Sequence, residues 1–162
     1  MNLIDISTPV DFNKIPKEQW IQRYYNDMAQ LYKKKDFSEN PLIYEYCNLG
    51  SDGAPKDLLY GITKIFPGVI DKEYFMTKGH FHQVPVAEVY YCLSGNGIIL
   101  QENHSHKYIL TKISEGTLVY CEVNYGHRAI NIDKIEPLVL LCVARADAGH
   151  NYSFEFTHRM LG

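Results

Sequence analysis

The chain has 162 residues, a formal net charge of −3 and a hydrophobic fraction of 46%. That length fits one domain, and a domain of this size buries roughly 70% of its unfolded surface, so it needs no disulfide staples. The mildly acidic balance and the lack of a Lys/Arg patch interleaved with aromatics exclude a nucleic-acid partner.

The start, Met1-Asn2-Leu3-Ile4-Asp5, has no basic stretch followed by an apolar one and does not read as a signal peptide. From Lys17 to about Lys34, apolar residues fall at Trp20, Ile21, Tyr24, Tyr25, Met28, Leu31 and Tyr32, along one helical stripe, with Pro16 suited to a first turn. The expectation is an amphipathic helix within an N-terminal extension, residues 1–40, that packs on the outside of the main body or on a second subunit. The Lys33-Lys34-Lys35 run is expected to be its solvated end. After Pro41 the pattern changes to short strands, predicted at Leu42–Cys47, Leu58–Phe66, Glu73–Lys78, Ala87–Leu93, Ile98–Gln101, Lys107–Ile113, Thr117–Glu122, Arg128–Ile132 and Pro137–Ala144. Turn signals such as Pro67-Gly68, Ser94-Gly95-Asn96-Gly97 and Glu115-Gly116 separate them. An all-β barrel or sandwich over residues 41–162 follows, with the whole chain one domain. Three of the four cysteines (Cys47, Cys92, Cys121 and Cys142) sit in hydrophobic, strand-like runs as small buried hydrophobes, and no run of 18 apolar residues is present. A reduced, cytoplasmic protein without a membrane partner is expected.

Chemistry concentrates in Gly79-His80-Phe81-His82, followed by Glu88 and Gly95. In extended chain, positions i and i+2 share a face, so His80 and His82 reach one point. Glu88 opens the next strand, and a downstream block supplies Gly116, His127 and Asn131. Three imidazoles and a carboxylate form a borderline N/O donor set suited to Fe(II), Mn(II), Ni(II), Co(II) or Zn(II). The chain holds its own control: His104-Ser105-His106 repeats the HxH spacing, but in a polar hairpin with no carboxylate at a matching position, and it is expected to be solvated.

His80-x-His82-(x5)-Glu88-(x6)-Gly95 resembles the first cupin motif, and Gly116-(x10)-His127-(x3)-Asn131 the second. The second departs from the usual pattern, with Glu122 where proline is common and Asn124 where glycine is. A narrower likeness lies in Thr77-Lys78-Gly79-His80-Phe81-His82, Ala87-Glu88-Val89-Tyr90 and Ala146-Asp147-Ala148-Gly149-His150-Asn151-Tyr152. These segments are similar to the cupin-type glucose-6-phosphate isomerases of archaea and some bacteria. The likeness runs from about Tyr44 to Tyr152; Ala144 departs from it, since the family often has an aromatic nearby.

The resemblance implies an all-β cupin (jelly-roll) barrel with an N-terminal helix or strand extension, acting as a homodimer in glycolysis and gluconeogenesis. It implies one divalent metal per subunit on His80, His82, Glu88 and His127, with Fe(II) favoured and Mn(II), Ni(II) or Zn(II) also suitable. Tyr44, Thr63, Thr77, Gly79 and Tyr152 are then the residues that bind a phosphosugar, and Glu88, Tyr90 and His150 those nearest the chemistry. Lys78 is left out of the phosphate group, because strand alternation turns it from the face of Thr77 and Gly79 unless the strand breaks at the glycine. Two other functions use the same ligand set: an Fe(II) dioxygenase, and a non-enzymatic sugar-binding cupin.

Overall fold

Alternation and turn residues organise the described part of the chain into eleven strands. The computed structural model describes residues 11–34, 37–50 and 55–161. The strands are β1 (Ile21–Tyr24), β2 (Leu42–Gly50), β3 (Leu58–Ile65), β4 (Val69–Ile70), β5 (Glu73–Tyr74), β6 (Glu88–Ser94), β7 (Asn96–Glu102), β8 (Tyr108–Ser114), β9 (Leu118–Cys121), β10 (Gly126–Asn131) and β11 (Leu138–Arg145). They form a six-stranded sheet in the order β1-β2-β3-β11-β6-β9, a three-stranded sheet β10-β7-β8, and the pair β4-β5. Every named pairing is antiparallel.

The two larger sheets share one core. Ile65, Leu140 and Cys92 from the first and Ile99, Leu100, Ile113 and Ile130 from the second belong to one buried cluster. In β6, Glu88, Tyr90 and Cys92 face inward while Val89 and Tyr91 face out. In β9, Val119 and Cys121 face inward while Leu118 and Tyr120 face out. β10 and all of β7 after Asn96 are buried, as expected for strands covered on both faces. The β6–β7 hairpin needs its glycine: Gly95 has φ +86°, and a Cβ there would lie 2.4 Å from the Pro137 carbonyl oxygen.

The predicted strands are found with small boundary shifts, apart from Glu73–Lys78. Only Glu73–Tyr74 pairs as a strand; Met76 then makes a single bridge to Ile130, and the Thr77 amide donates to the Ala129 carbonyl at 2.9 Å.

The amphipathic helix over Lys17–Lys34 is not formed. Short 3-10 turns occupy Lys17–Gln19, Tyr25–Asp27 and Ala29–Leu31, and β1 lies between them, paired with β2. The aromatic-rich run Trp20–Tyr25 has a weak helix preference, and the exposed edge of β2 offers it a ladder instead. The Asp27 carboxylate accepts the Tyr24 amide at 2.8 Å and starts the turn that ends β1. The stripe was real in its spacing: Tyr25, Met28 and Tyr32, three and four apart, are buried in the shared core through successive tight turns. Residues 1–10 and Lys35 of the basic run lie outside the described residues.

Beyond β11 the chain runs back across the molecule without regular structure as far as Leu161. Its anchor is Glu102, whose side chain is fully buried. The carboxylate accepts the Thr157 amide at 3.1 Å, the Thr157 hydroxyl at 2.6 Å and the His158 amide at 3.2 Å, and lies 2.7 Å from His106 Nδ1.

Candidate active site

The segment after Thr77 leaves sheet geometry at Gly79, which has φ +73°. A Cβ there would meet the Phe156 ring at 2.8 Å and Arg128 at 3.0 Å, so only glycine takes this path. Beyond it, His80 exchanges both backbone hydrogen bonds with His127, at 3.2 and 3.0 Å, and Phe81 does the same with Asn151, at 3.0 and 2.7 Å. His80 and His82 are thus carried on a short extended bridge between β10 and the tail.

Glu88, at the start of β6, completes the cluster. Its Oε2 lies 2.9 Å from His127 Nε2, 3.1 Å from His82 Nε2 and 3.9 Å from His80 Nε2. All four donor atoms lie within 4.8 Å of one another. Ligands about 2.0–2.2 Å from a common ion stand roughly 3 Å apart in cis and 4.4 Å in trans, so the set can hold a metal ion. Two further observations fit. His80 Nε2 is buried without a hydrogen-bond partner in the protein. His82 Nδ1 donates to the Val86 carbonyl at 2.9 Å, which fixes the ring and leaves Nε2 for ligation.

Electrostatics favour the ligating forms of most of the set. Burial and the neighbouring His127 push the His80 imidazole down to about 2, so it is neutral. Burial opposes ionisation of Glu88, but His127 and the other imidazoles outweigh it and hold the carboxyl well below its usual range. His82 is the exception: burial would lower it, yet its bonds to Glu88 and Val86 raise it above 6.5.

A cavity of about 260 Å³ opens over this cluster. Every residue expected to bind or act on substrate lines it: Tyr44, Thr63, Thr77 and Gly79, Tyr90 with Glu88, and His150 with Tyr152. His127 is 1% exposed and sits behind the lining. Thr77 Oγ1 accepts the Ala129 amide at 3.0 Å, leaving its hydroxyl proton free to donate. Burial pushes the Tyr44 phenol up to about 12 and Tyr90 well above its usual range, so both remain donors. The His150 ring centroid is 4.2 Å from that of His80 and 5.9 Å from that of Tyr152, and burial lowers its imidazole.

Asn131 stays out of the cluster. Its Nδ2 donates to the Ile65 and Glu136 carbonyls, both at 3.0 Å, and Oδ1 accepts the Asp133 amide at 2.9 Å, which pins the corner after β10. Both departures from the second cupin motif have reasons. The Glu122 amide donates to Gln101 Oε1 at 2.7 Å, a bond a proline could not make. Asn124 holds φ +65°, the left-handed conformation a glycine would supply.

In comparisons with known proteins, a family model described as Glucose-6-phosphate isomerase (GPI) matches residues 22–160. The chain belongs to this family. Glucose-6-phosphate isomerase of Thermococcus gammatolerans is 34% identical over 155 residues, covering 92% of this chain and 79% of the relative. That of Pyrococcus furiosus is 35% identical over 133 residues, 82% and 69% of the two chains. Among solved structures, oxalate decarboxylase from Bacillus subtilis at pH 4.6 aligns with a TM-score of 0.52 at 20% identity, over 66% of this chain and 26% of that one. Lactobacillus farciminis oxalate decarboxylase aligns at 0.53, with 20% identity, over 72% and 31%. At such identity the likeness concerns the fold, which is the expected cupin one.

The isomerase-family pocket also contains residues that the sequence reading missed. Tyr46 and Asn48 follow Tyr44 at i+2 and i+4 on the same face of β2, a signal available from alternation alone. Lys78 lines the cavity as well, because the chain does break at Gly79. His104 and His106 are exposed, as expected, but His104 stacks on Phe81 at 4.3 Å and His106 meets Glu102.

Proposed function

We propose that this chain is a metal-dependent aldose–ketose isomerase that interconverts glucose 6-phosphate and fructose 6-phosphate, acting in glycolysis and gluconeogenesis in the cytoplasm. The observation that carries the reading is the convergence, in one cavity, of a three-histidine, one-carboxylate cluster with the hydroxyl and amide donors of Tyr44, Thr63, Thr77 and Gly79. Among the described residues no helix is long and apolar enough to cross a membrane.

His80, His82, Glu88 and His127 would hold the ion, with Fe(II) favoured and Mn(II), Ni(II) or Zn(II) also accommodated. A bound divalent ion would supply Lewis acidity at the O1 and O2 oxygens of the sugar. The protein does the rest. Tyr44, Thr63, Thr77 and the Gly79 amide receive the phosphate and thereby fix where C1 and C2 lie. Tyr90, a buried phenol beside Glu88, donates to a sugar oxygen and stays protonated throughout. Glu88 is held by His82 and His127 and has lost basicity, whereas His150, packed on the His80 ring and kept neutral by burial, is not one of the four clustered donors. His150 is therefore the better carrier of a proton between C2 and C1, while Tyr152 closes the mouth behind the sugar.

The homodimer expected of the family is part of the same proposal. Tyr91, Leu118 and Tyr120, exposed on the outward face of β6 and β9, offer an apolar surface suited to self-association, which light scattering would read.

The test is a coupled assay of fructose 6-phosphate conversion, on chelator-stripped protein with and without added Fe(II) or Mn(II). Activity that needs metal and vanishes in His80→Ala supports the reading. A demonstrably metal-loaded protein without activity sinks it.

A further inference from the structure

A sugar phosphate carries about −1.5 to −2 charges at neutral pH, yet the phosphate group assigned above contains no cation. Two cations stand beside it. Arg23 on β1 lies opposite Tyr44 in the β1–β2 register and so shares its face of the sheet. Its Nη2 donates to the Tyr46 hydroxyl at 3.3 Å, and its guanidinium carbon is 5.6 Å from the Tyr46 ring centroid. Lys78 lines the cavity between Thr77 and Gly79, with Nζ 4.4 Å from the Tyr152 ring centroid. The two approaches meet at the tyrosines: Tyr44 and Tyr46 stack at 6.1 Å, and the Arg23 charge reaches both Tyr44 and Tyr152.

Neither cation has a carboxylate within salt-bridge distance among the described residues. The contrast is Arg145, which lines the cavity as Lys78 does and which Asp147 neutralises at 2.6 Å. A cation without a carboxylate partner beside a pocket attracts an anion that enters it. We propose that Arg23 and Lys78 form a cationic clasp on the substrate's phosphate and set the pocket's preference for phosphorylated over free sugars. This rests on the isomerase reading for the identity of the ligand, not for the existence of the anion site.

The test uses Arg23→Gln and Lys78→Gln in the metal-loaded protein, with fructose 6-phosphate as substrate and inorganic phosphate as a separate probe. Charge-assisted contacts of this kind, partly open to solvent, correspond to roughly tenfold in affinity. Each variant should raise KM, and the phosphate inhibition constant with it, by about that factor, while kcat falls much less. The dependence of kcat/KM on ionic strength should flatten, and Arg23→Lys should restore most of the phosphate affinity. Folding is checked by circular dichroism, and Lys78 lies outside the regular strands, so one variant remains informative if the other is unstable. A folded variant that keeps both constants within twofold of wild type overturns the clasp. If the wild type turns over no phosphosugar, the isomerase reading fails, and calorimetric binding of phosphate to wild type and variants still decides the clasp.

Discussion

Replacing Glu102 by alanine tests how the tail is held. The carboxylate is fully buried and takes two backbone amides and a hydroxyl from Thr157 and His158. Removing it leaves those donors without a partner, at about 1–3 kcal/mol each if they stay dry. The tail can recover part of that by turning them to water, so the net loss should be about 3 kcal/mol. The loss should appear locally. Phe154 packs on Phe81 at 4.8 Å and Phe156 lies under Arg128 at 4.1 Å, and these contacts release with the clamp. Amide exchange over residues 152–161 should quicken by roughly a hundredfold. Because Tyr152 begins this segment, the KM for phosphosugar should rise too. The pH sign is fixed: burial pushes the Glu102 carboxyl up, but the bonds from Thr157 and His106 outweigh it and hold it below the usual 4.5. Its contribution is thus present above 4.5 and lost as pH falls through the lower folded value. Acid should loosen the wild-type tail and leave the variant unchanged. Exchange within threefold of wild type at neutral pH would refute the account.

Gly79→Ala places a methyl against Phe156 and Arg128 at positive φ, and should cost about 2–3 kcal/mol in thermal denaturation along with weaker phosphate binding. Asn124→Val, at φ +65°, should lose about 1–2 kcal/mol, whereas Asn124→Gly stays within roughly 0.5 kcal/mol of wild type. Metal affinity, titrated by competition with a chelator, should fall by up to about tenfold per pH unit below the raised His82 value, since ligation needs its Nε2 free of a proton. In the metal-free protein the His82 shift contributes stability below 6.5 that is lost as pH rises through the higher folded value, against the opposite contribution of the lowered His80 and His150 imidazoles.

Three members of the candidate metal cluster were legible from local spacing, and His127, 39 residues after Glu88, from the second cupin motif. His80 and His82 are two apart, and Glu88 follows within one short turn. The strands were legible from alternation and glycine punctuation. The N-terminal segment was not, since Tyr25, Met28 and Tyr32 fall at intervals that helices and successive tight turns both produce. Only the free edge of β2 decides between them, and that edge lies twenty residues downstream. Lys78 was set aside by an alternation rule that fails where the backbone turns at Gly79. The bond from Glu102 to Thr157 joins positions 55 apart and has no local signature.

Two of the four proposed ligands, His80 and His127, exchange both backbone hydrogen bonds as an isolated antiparallel pair. The separation of their Cα atoms is therefore set by main chain, the stiffest ruler a protein has, and only side-chain rotation adjusts the rings. Ions of different radius would be accommodated by rotation of the side chains, not by movement of this pair. Crystals grown with manganese, iron and zinc should show the His80–His127 main-chain pair unmoved, with any adjustment to the ion confined to side chains.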